Sequence, residues 1–139
     1  MESKARQQHL VSIIIPSFNR WPYICDAIDS VIGQTYQNLE CIVVDDASTD
    51  GSPEKIENKY CHNPKISIKK LITNSGQSRA RNHGVQTAKG KLVCFLDSDD
   101  ILPISSIEDR VSVFSETPEF NGISFGENQV SDKPNTRSL

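Results

Sequence analysis

Two short acidic clusters are the residues of this sequence best placed to do chemistry. Asp45-Asp46 follows the run Leu39–Val44, and Asp97-Ser98-Asp99-Asp100 follows Leu92–Leu96. Both runs read as strands buried on their two faces, so each cluster stands at a strand's carboxyl end. Carboxylates crowded within a few ångströms raise one another's pKa or demand a counter-cation. For hard oxygen ligands that cation is Mn²⁺ or Mg²⁺, which takes one or two carboxylates together with phosphate oxygens. In extended chain, residues i and i+2 face the same way, so Asp97 and Asp99 can address one ligand while Ser98 faces the other. A helix cap or solvated turn accounts for a single aspartate such as Asp50 or Asp100. It does not account for two clusters at two strand ends.

The elements that must position these clusters alternate along the chain. Val11–Ile15 is a continuous β-branched run that Pro16 is expected to end. From Trp21 the period changes, and Ile24, Ala27, Ile28, Val31 and Ile32 recur at helical spacing until Gly33. After the second strand, Ala47–Pro53 is turn chemistry, with Ser52 read as N-cap and Pro53 as the first helical residue. A short polar helix to about Tyr60 follows. Ile66, Ile68 and Leu71 alternate as a third strand near a sheet edge. The pattern then predicts a helix over Gln77–Ala88, closed by Gly90, a fourth buried strand over Leu92–Leu96, and a helical stripe through Ile107, Val111 and Phe114. Gly122–Phe125 would begin a fifth strand, and the tail from Gly126 is polar.

Strands separated by helices of this length imply βαβ units with right-handed crossovers. The expected fold class is therefore α/β, a mostly parallel sheet with flanking helices, truncated after about the fifth strand. In such sheets ligands bind beyond the carboxyl ends of the strands, where the strand order reverses.

Composition narrows the function by exclusion. The 139 residues are 36% hydrophobic and 24% charged, with a formal net charge of −3, which gives no long-range pull towards nucleic acid or anionic membrane. No apolar run approaches the roughly 20 residues that span a bilayer, so a cytoplasmic location is expected, with any peripheral membrane association left to regions outside this chain. Cys25, Cys41, Cys61 and Cys94 have no CxxC or zinc spacing and read as structural thiols.

Four segments resemble the family 2 glycosyltransferases of the GT-A fold. They are Val11–Arg20, Gln34–Ser52, Asn74–Gly84 with its Ala80-Arg81-Asn82, and Leu96–Asp100, which is similar to the family's metal-binding Asp-x-Asp. Together they cover about residues 11–103, in order and at family spacing. The resemblance implies a GT-A (Rossmann-like) domain over 11–125, between a polar tail at 1–10 and a polar tail at 126–139. It implies transfer, inverting in chemistry, from a nucleoside-diphosphate sugar (a UDP-sugar by family weight) to a saccharide or cell-envelope acceptor, with a divalent metal.

Carried onto this sequence, the resemblance gives Pro16, Phe18 and Asp45-Asp46 as the cradle for base and ribose. Asp46 is the expected base contact and Asp45 the one that could instead hold the turn. Phe18 reads equally as a stacking ring or ordinary loop packing. Asp97 would meet the ribose or share the metal, and Asp99 would coordinate it. Arg81 would assist base or diphosphate, Arg79 reads as a solvated helix face, and Asn82 and Gly84 would hold the helix against the acidic loop. In the fold resembled, the first strand lies between the second and fourth, which sets the acidic ends about 10 Å apart.

The resemblance also implies a carboxylate base for the acceptor hydroxyl, supplied by the family's second half. Glu108, Asp109, Glu116 and Glu119 lie on or after a helix leading away from the rim, so the base is expected outside this chain. A sheet cut at this point would expose an edge and favour self-association. A binding module without turnover therefore stands beside the enzyme as an alternative. A haloacid-type phosphatase would want its Asp-x-Asp after the first strand, a receiver domain would want a lysine near the fifth, and a Walker loop is absent.

Overall fold

The computed structural model describes residues 9–116. Strands β1 (Val11–Ser17), β2 (Leu39–Asp45), β3 (Ile66–Lys70) and β4 (Leu92–Phe95) alternate with helices α1 (Ile24–Ile32), α2 (Ser52–Tyr60), α3 (Gln77–Thr87) and α4 (Ser106–Glu116). The four strands form one parallel sheet in the order β3-β2-β1-β4. After β3 the chain crosses to the far side of β1, so the strand order reverses beside β1. The fold class expected from the alternation is the one observed. The residues expected to carry the fifth strand, Gly122–Phe125, and the polar tails beyond residues 9 and 116 lie outside the described residues.

Strand side chains alternate between two layers. Ile13, Ile15, Cys41 and Val43 face a large cluster built with Ile24, Ile28 and Val31 of α1, Ile56 of α2 and Ile107 of α4. Ile14, Ile42 and Val44 face the smaller cluster under Ala80 of α3. Each such buried side chain contributes about 1.5–3 kcal/mol. α3 reaches the sheet through small residues: a Cβ added at Gly84 would collide with the Ile14 side chain. Gly84 therefore seats α3 on β1, not on the acidic loop as expected.

Other local readings are corrected. β1 continues through Pro16 to Ser17, because Pro16 sits inside the ladder opposite Val44. The N-cap of α2 is Gly51, and Ser52 lies within the helix with its N–H and hydroxyl both donating to Asp50 Oδ1. Gly90 does not close α3, whose C-cap is Ala88. It lets the chain pass against β1, where a Cβ would stand 2.5 Å from Ser12 Oγ and 2.7 Å from Leu10 O. β4 is only half covered: Val93 and Phe95, on the α3 side of the sheet, are partly exposed, contrary to a strand buried on both faces. β3 is at the edge of the described sheet, as its alternation predicts.

Candidate functional site

The carboxyl ends of β2, β1 and β4 stand side by side, and the loops leaving them form the site. Parallel pairing sets Ser17 opposite Asp45, with β4 on the other side of β1. The two acidic clusters thus flank the end of β1 as expected.

At the end of β2 the carboxylates are buried and committed to the backbone. Asp45 is 1% exposed and accepts from Ser48 N at 2.8 Å and Ser48 Oγ at 2.5 Å. Asp46 is 5% exposed and takes Ser75 N on one oxygen and Gly76 N on the other, both at 2.8 Å. Two fixed N–H donors hold a carboxylate in one orientation, and charge-assisted bonds of this kind are about twice as strong as neutral ones. Between them Ala47 adopts φ +62°, a left-handed conformation that a side chain disfavours. That turn is what brings Ser48 back onto Asp45.

Sequence reasoning missed Asn19 in this loop cluster. Asn19, at φ +52°, donates its N–H to Ser48 Oγ at 2.9 Å and accepts Thr49 N at 2.8 Å. It joins the loop after β1 to the loop after β2 and so fixes Phe18, whose ring is 42% exposed beside it. An asparagine directly after an exposed aromatic, in a loop, was the available signal, since Asn tolerates left-handed backbone.

At the end of β4 the carboxylates converge on open space. One oxygen each from Asp97, Asp99 and Asp100 lie within 4.8 Å of one another, while Ser98 is turned inward and buried. Asp97 and Asp99 come together through the turn at 98–99, closed by Asp100 N donating to Asp97 O, and not through the extended chain expected; Asp100 joins them. Burial first, then the charges of Asp97 and Asp99, pushes the Asp100 carboxyl above the ordinary range. Three hard oxygen donors at this separation fit a divalent cation such as Mn²⁺ or Mg²⁺.

Arg81 Nη2 donates to Asp97 Oδ1 at 2.7 Å, a pairing not anticipated from sequence. Arg81 Nε and Ser17 Oγ are buried without a hydrogen-bond partner. Unsatisfied buried donors are uncommon, and here one lies on the residue that reaches Asp97 and the other at the end of β1. Pro16 is buried in β1 beneath this floor. Arg79 points elsewhere, into a groove of about 430 Å³ beside β3 that it lines with Lys70, Thr73, Asn82 and His83.

Residues 12–138 match the sequence profile described as Glycosyl transferase family 2. The chain belongs to that family. It is 39% identical over 120 residues to WfgD of Escherichia coli, a UDP-Glc:alpha-D-GlcNAc-diphosphoundecaprenol beta-1,3-glucosyltransferase, covering 84% of this chain and 44% of that protein. Staphylococcus aureus TarS 1-349, solved in complex with UDP-GlcNAc, superposes with a TM-score of 0.72 at 32% identity, covering 78% of this chain and 32% of TarS 1-349. The mannosyltransferase PcManGT of Pyrobaculum calidifontis, solved with GDP-Man and Mn²⁺, superposes with a TM-score of 0.64 at 30% identity, over 68% of this chain and 29% of that one. The chain spans less than half the length of the curated relatives it matches. Among the described residues, no helix is long and apolar enough to cross a membrane.

Proposed function

We propose that these residues form the donor-binding half of a glycosyltransferase that takes a nucleoside-diphosphate sugar, a UDP-sugar by preference, with Mn²⁺ or Mg²⁺. The observation that carries the reading is the convergence of Asp97, Asp99 and Asp100 on one point beside the end of β1. It is supported by the UDP-GlcNAc of TarS and by the Mn²⁺ of PcManGT at comparable fold and identity. The base would lie between the Phe18 ring and the loop that Asp46 anchors, with an acceptor site of Asp46 left for a base N–H. Asp45, with both oxygens on Ser48, serves the turn, and Pro16 lies in the floor below. The diphosphate would extend towards the second cluster, with Arg81 between ribose and phosphate.

Asp99 and Asp97 are the proposed cation ligands, with Asp100 beside them. A cation held there would offset the charge that builds on the departing diphosphate. An inverting displacement further needs a base at the acceptor hydroxyl. Glu108 accepts Thr35 Oγ1 and Asp109 accepts Ser105 Oγ within the first turn of α4, so neither is assigned that role. A saccharide acceptor on a cell-envelope lipid, as in WfgD's name, is the proposed partner class. Among the described residues no disulfide joins the cysteines, which suits the reducing cytoplasm.

Titration calorimetry of UDP and GDP, with and without Mn²⁺, tests the reading on the wild type and Asp99→Ala. Binding that needs Mn²⁺ and is lost in Asp99→Ala is expected, with UDP preferred over GDP. Metal-independent binding, or binding unchanged in the variant, would sink the cation assignment. A second reading, donor binding without turnover by these residues alone, is favoured by the engagement of Glu108 and Asp109 in α4. Donor hydrolysis or transfer by the purified chain would refute it.

A further inference from the structure

We infer that Gln34, at the corner between α1 and β2, is a positioning residue for the acidic loop that follows β4. The inference rests on the cation reading above. Gln34 is 1% exposed although its side chain is a polar amide. Its Nε2 donates to Pro103 O at 2.8 Å and to Ser30 O at 3.0 Å, and its Oε1 accepts Ile107 N at 3.0 Å. Every polar atom of the amide is spent, and two of its three bonds reach about seventy positions along the chain, to the segment just past Asp97–Asp100. Neighbours reinforce the link. Ser30 Oγ accepts Leu102 N at 3.0 Å, Thr35 N donates to Ile104 O at 2.9 Å, and Thr35 Oγ1 donates to Glu108 Oε2 at 2.7 Å.

The consequence is mechanical. On its upstream side the acidic loop is fixed where Leu96 N donates to Ile14 O at 3.0 Å. On its downstream side it is fixed at Leu102 and Pro103 by Ser30 and Gln34. Asp97–Asp100 are therefore strung between two anchors a few residues apart, with one internal bond, Asp100 N to Asp97 O at 3.0 Å. Three carboxylates within 4.8 Å repel one another, and an unrestrained loop would spread them. The buried amide counters that spread before a cation arrives, so the ligand set is preorganised and less ordering is left to binding. Carboxamide chemistry suits this task because one group must both donate to Pro103 O and accept from Ile107 N.

The test separates cation affinity from nucleotide affinity in the purified chain. Gln34→Glu keeps size but loses both donors, and Ser30→Ala, should the first variant fold poorly, removes the Leu102 N acceptor together with the Ser30 Oγ bond to Ala27 O inside α1. Free Mn²⁺ counted by electron paramagnetic resonance gives the cation dissociation constant, and calorimetry at saturating Mn²⁺ gives that of UDP. Gln34→Glu is expected to weaken Mn²⁺ about tenfold, and Ser30→Ala about threefold, with UDP affinity at saturating Mn²⁺ within twofold of wild type. Unchanged Mn²⁺ affinity in either folded variant, against a wild type that binds Mn²⁺, overturns the positioning role alone. So does an equal fall in both affinities, which marks general damage to the fold. A wild type that binds no Mn²⁺ overturns the cation reading first, and the positioning role with it.

Discussion

The two acidic strand ends look alike in sequence and behave oppositely in space. Asp45 and Asp46 are buried, and their four oxygens serve Ser48, Ser75 and Gly76. Asp97, Asp99 and Asp100 stand more open, with only Asp97 paired, through Arg81. The difference follows from neighbouring backbone. At the end of β2, Ser48 of the loop that follows turns back onto Asp45, and the N–H groups of Ser75 and Gly76 in the loop after β3 meet Asp46. The end of β4 meets a loop held from behind, so its carboxylates have little but each other and Arg81. An acidic pair after a buried strand thus marks a rim, and the donors around it decide how much of it is left open.

The largest effect that would break this comparison is on stability. Asp46→Ala leaves two loop N–H groups without their charged acceptor and should cost about 3 kcal/mol. For a domain of this size that lowers Tm by roughly 12 °C or more, readable by thermal denaturation. Asp99→Ala should do the reverse. Mn²⁺-dependent UDP affinity should fall about 100-fold, some 2.7 kcal/mol, with Tm almost unmoved. If Asp99→Ala melts the protein while Asp46→Ala does not, the roles of the clusters are exchanged.

Smaller changes sharpen the contrast. Arg81→Met removes the cation that competes for Asp97, so Mn²⁺ alone should bind about fivefold tighter while UDP binds more weakly, a difference near 1 kcal/mol typical of a half-exposed pair. The subtlest prediction concerns pH. Hydrogen bonds from Ser52 hold the Asp50 carboxyl below its ordinary range, whereas burial and the charges of Asp97 and Asp99 push Asp100 above it. Asp50 therefore adds stability that is full above the unfolded carboxylate pKa of about 4 and is lost as pH falls through its lower folded value. Asp100 subtracts stability above its raised folded pKa, and acidification through that value relieves the penalty. Urea denaturation at pH 7 should find Asp50→Asn destabilised and Asp100→Asn stabilised, each by less than about 1 kcal/mol because both are exposed to screening. Both differences should shrink towards pH 3.

Much of the fold was legible because buried strands and amphipathic helices carry their own periodicity. The stripe from Ile24 to Val31 and the runs of β1 and β2 follow from local pattern alone. β4 misled because its run Leu92–Leu96 looks doubly buried, yet helix α3 covers β1 and β2 and leaves Val93 and Phe95 partly open. Gly90 misled for a similar reason: a glycine after a helix reads as a cap, but here it makes room for Ser12 and Leu10, eighty residues away in sequence.

By itself the sequence determined which strands end in carboxylates, the alternation that makes the sheet parallel, and four motifs whose order marks the family. Those are local properties, set by side-chain period and by residue type at a strand's end. Tertiary structure alone decided that Asp46 anchors Ser75 and Gly76, that Arg81 reaches Asp97, and that Gln34 holds the segment past the acidic loop. Each of these joins residues sixteen to seventy-three positions apart. A carboxylate or amide carries no mark of its partner in the chain; the partner is fixed only when packing of the sheet and helices brings a donor within about 3 Å.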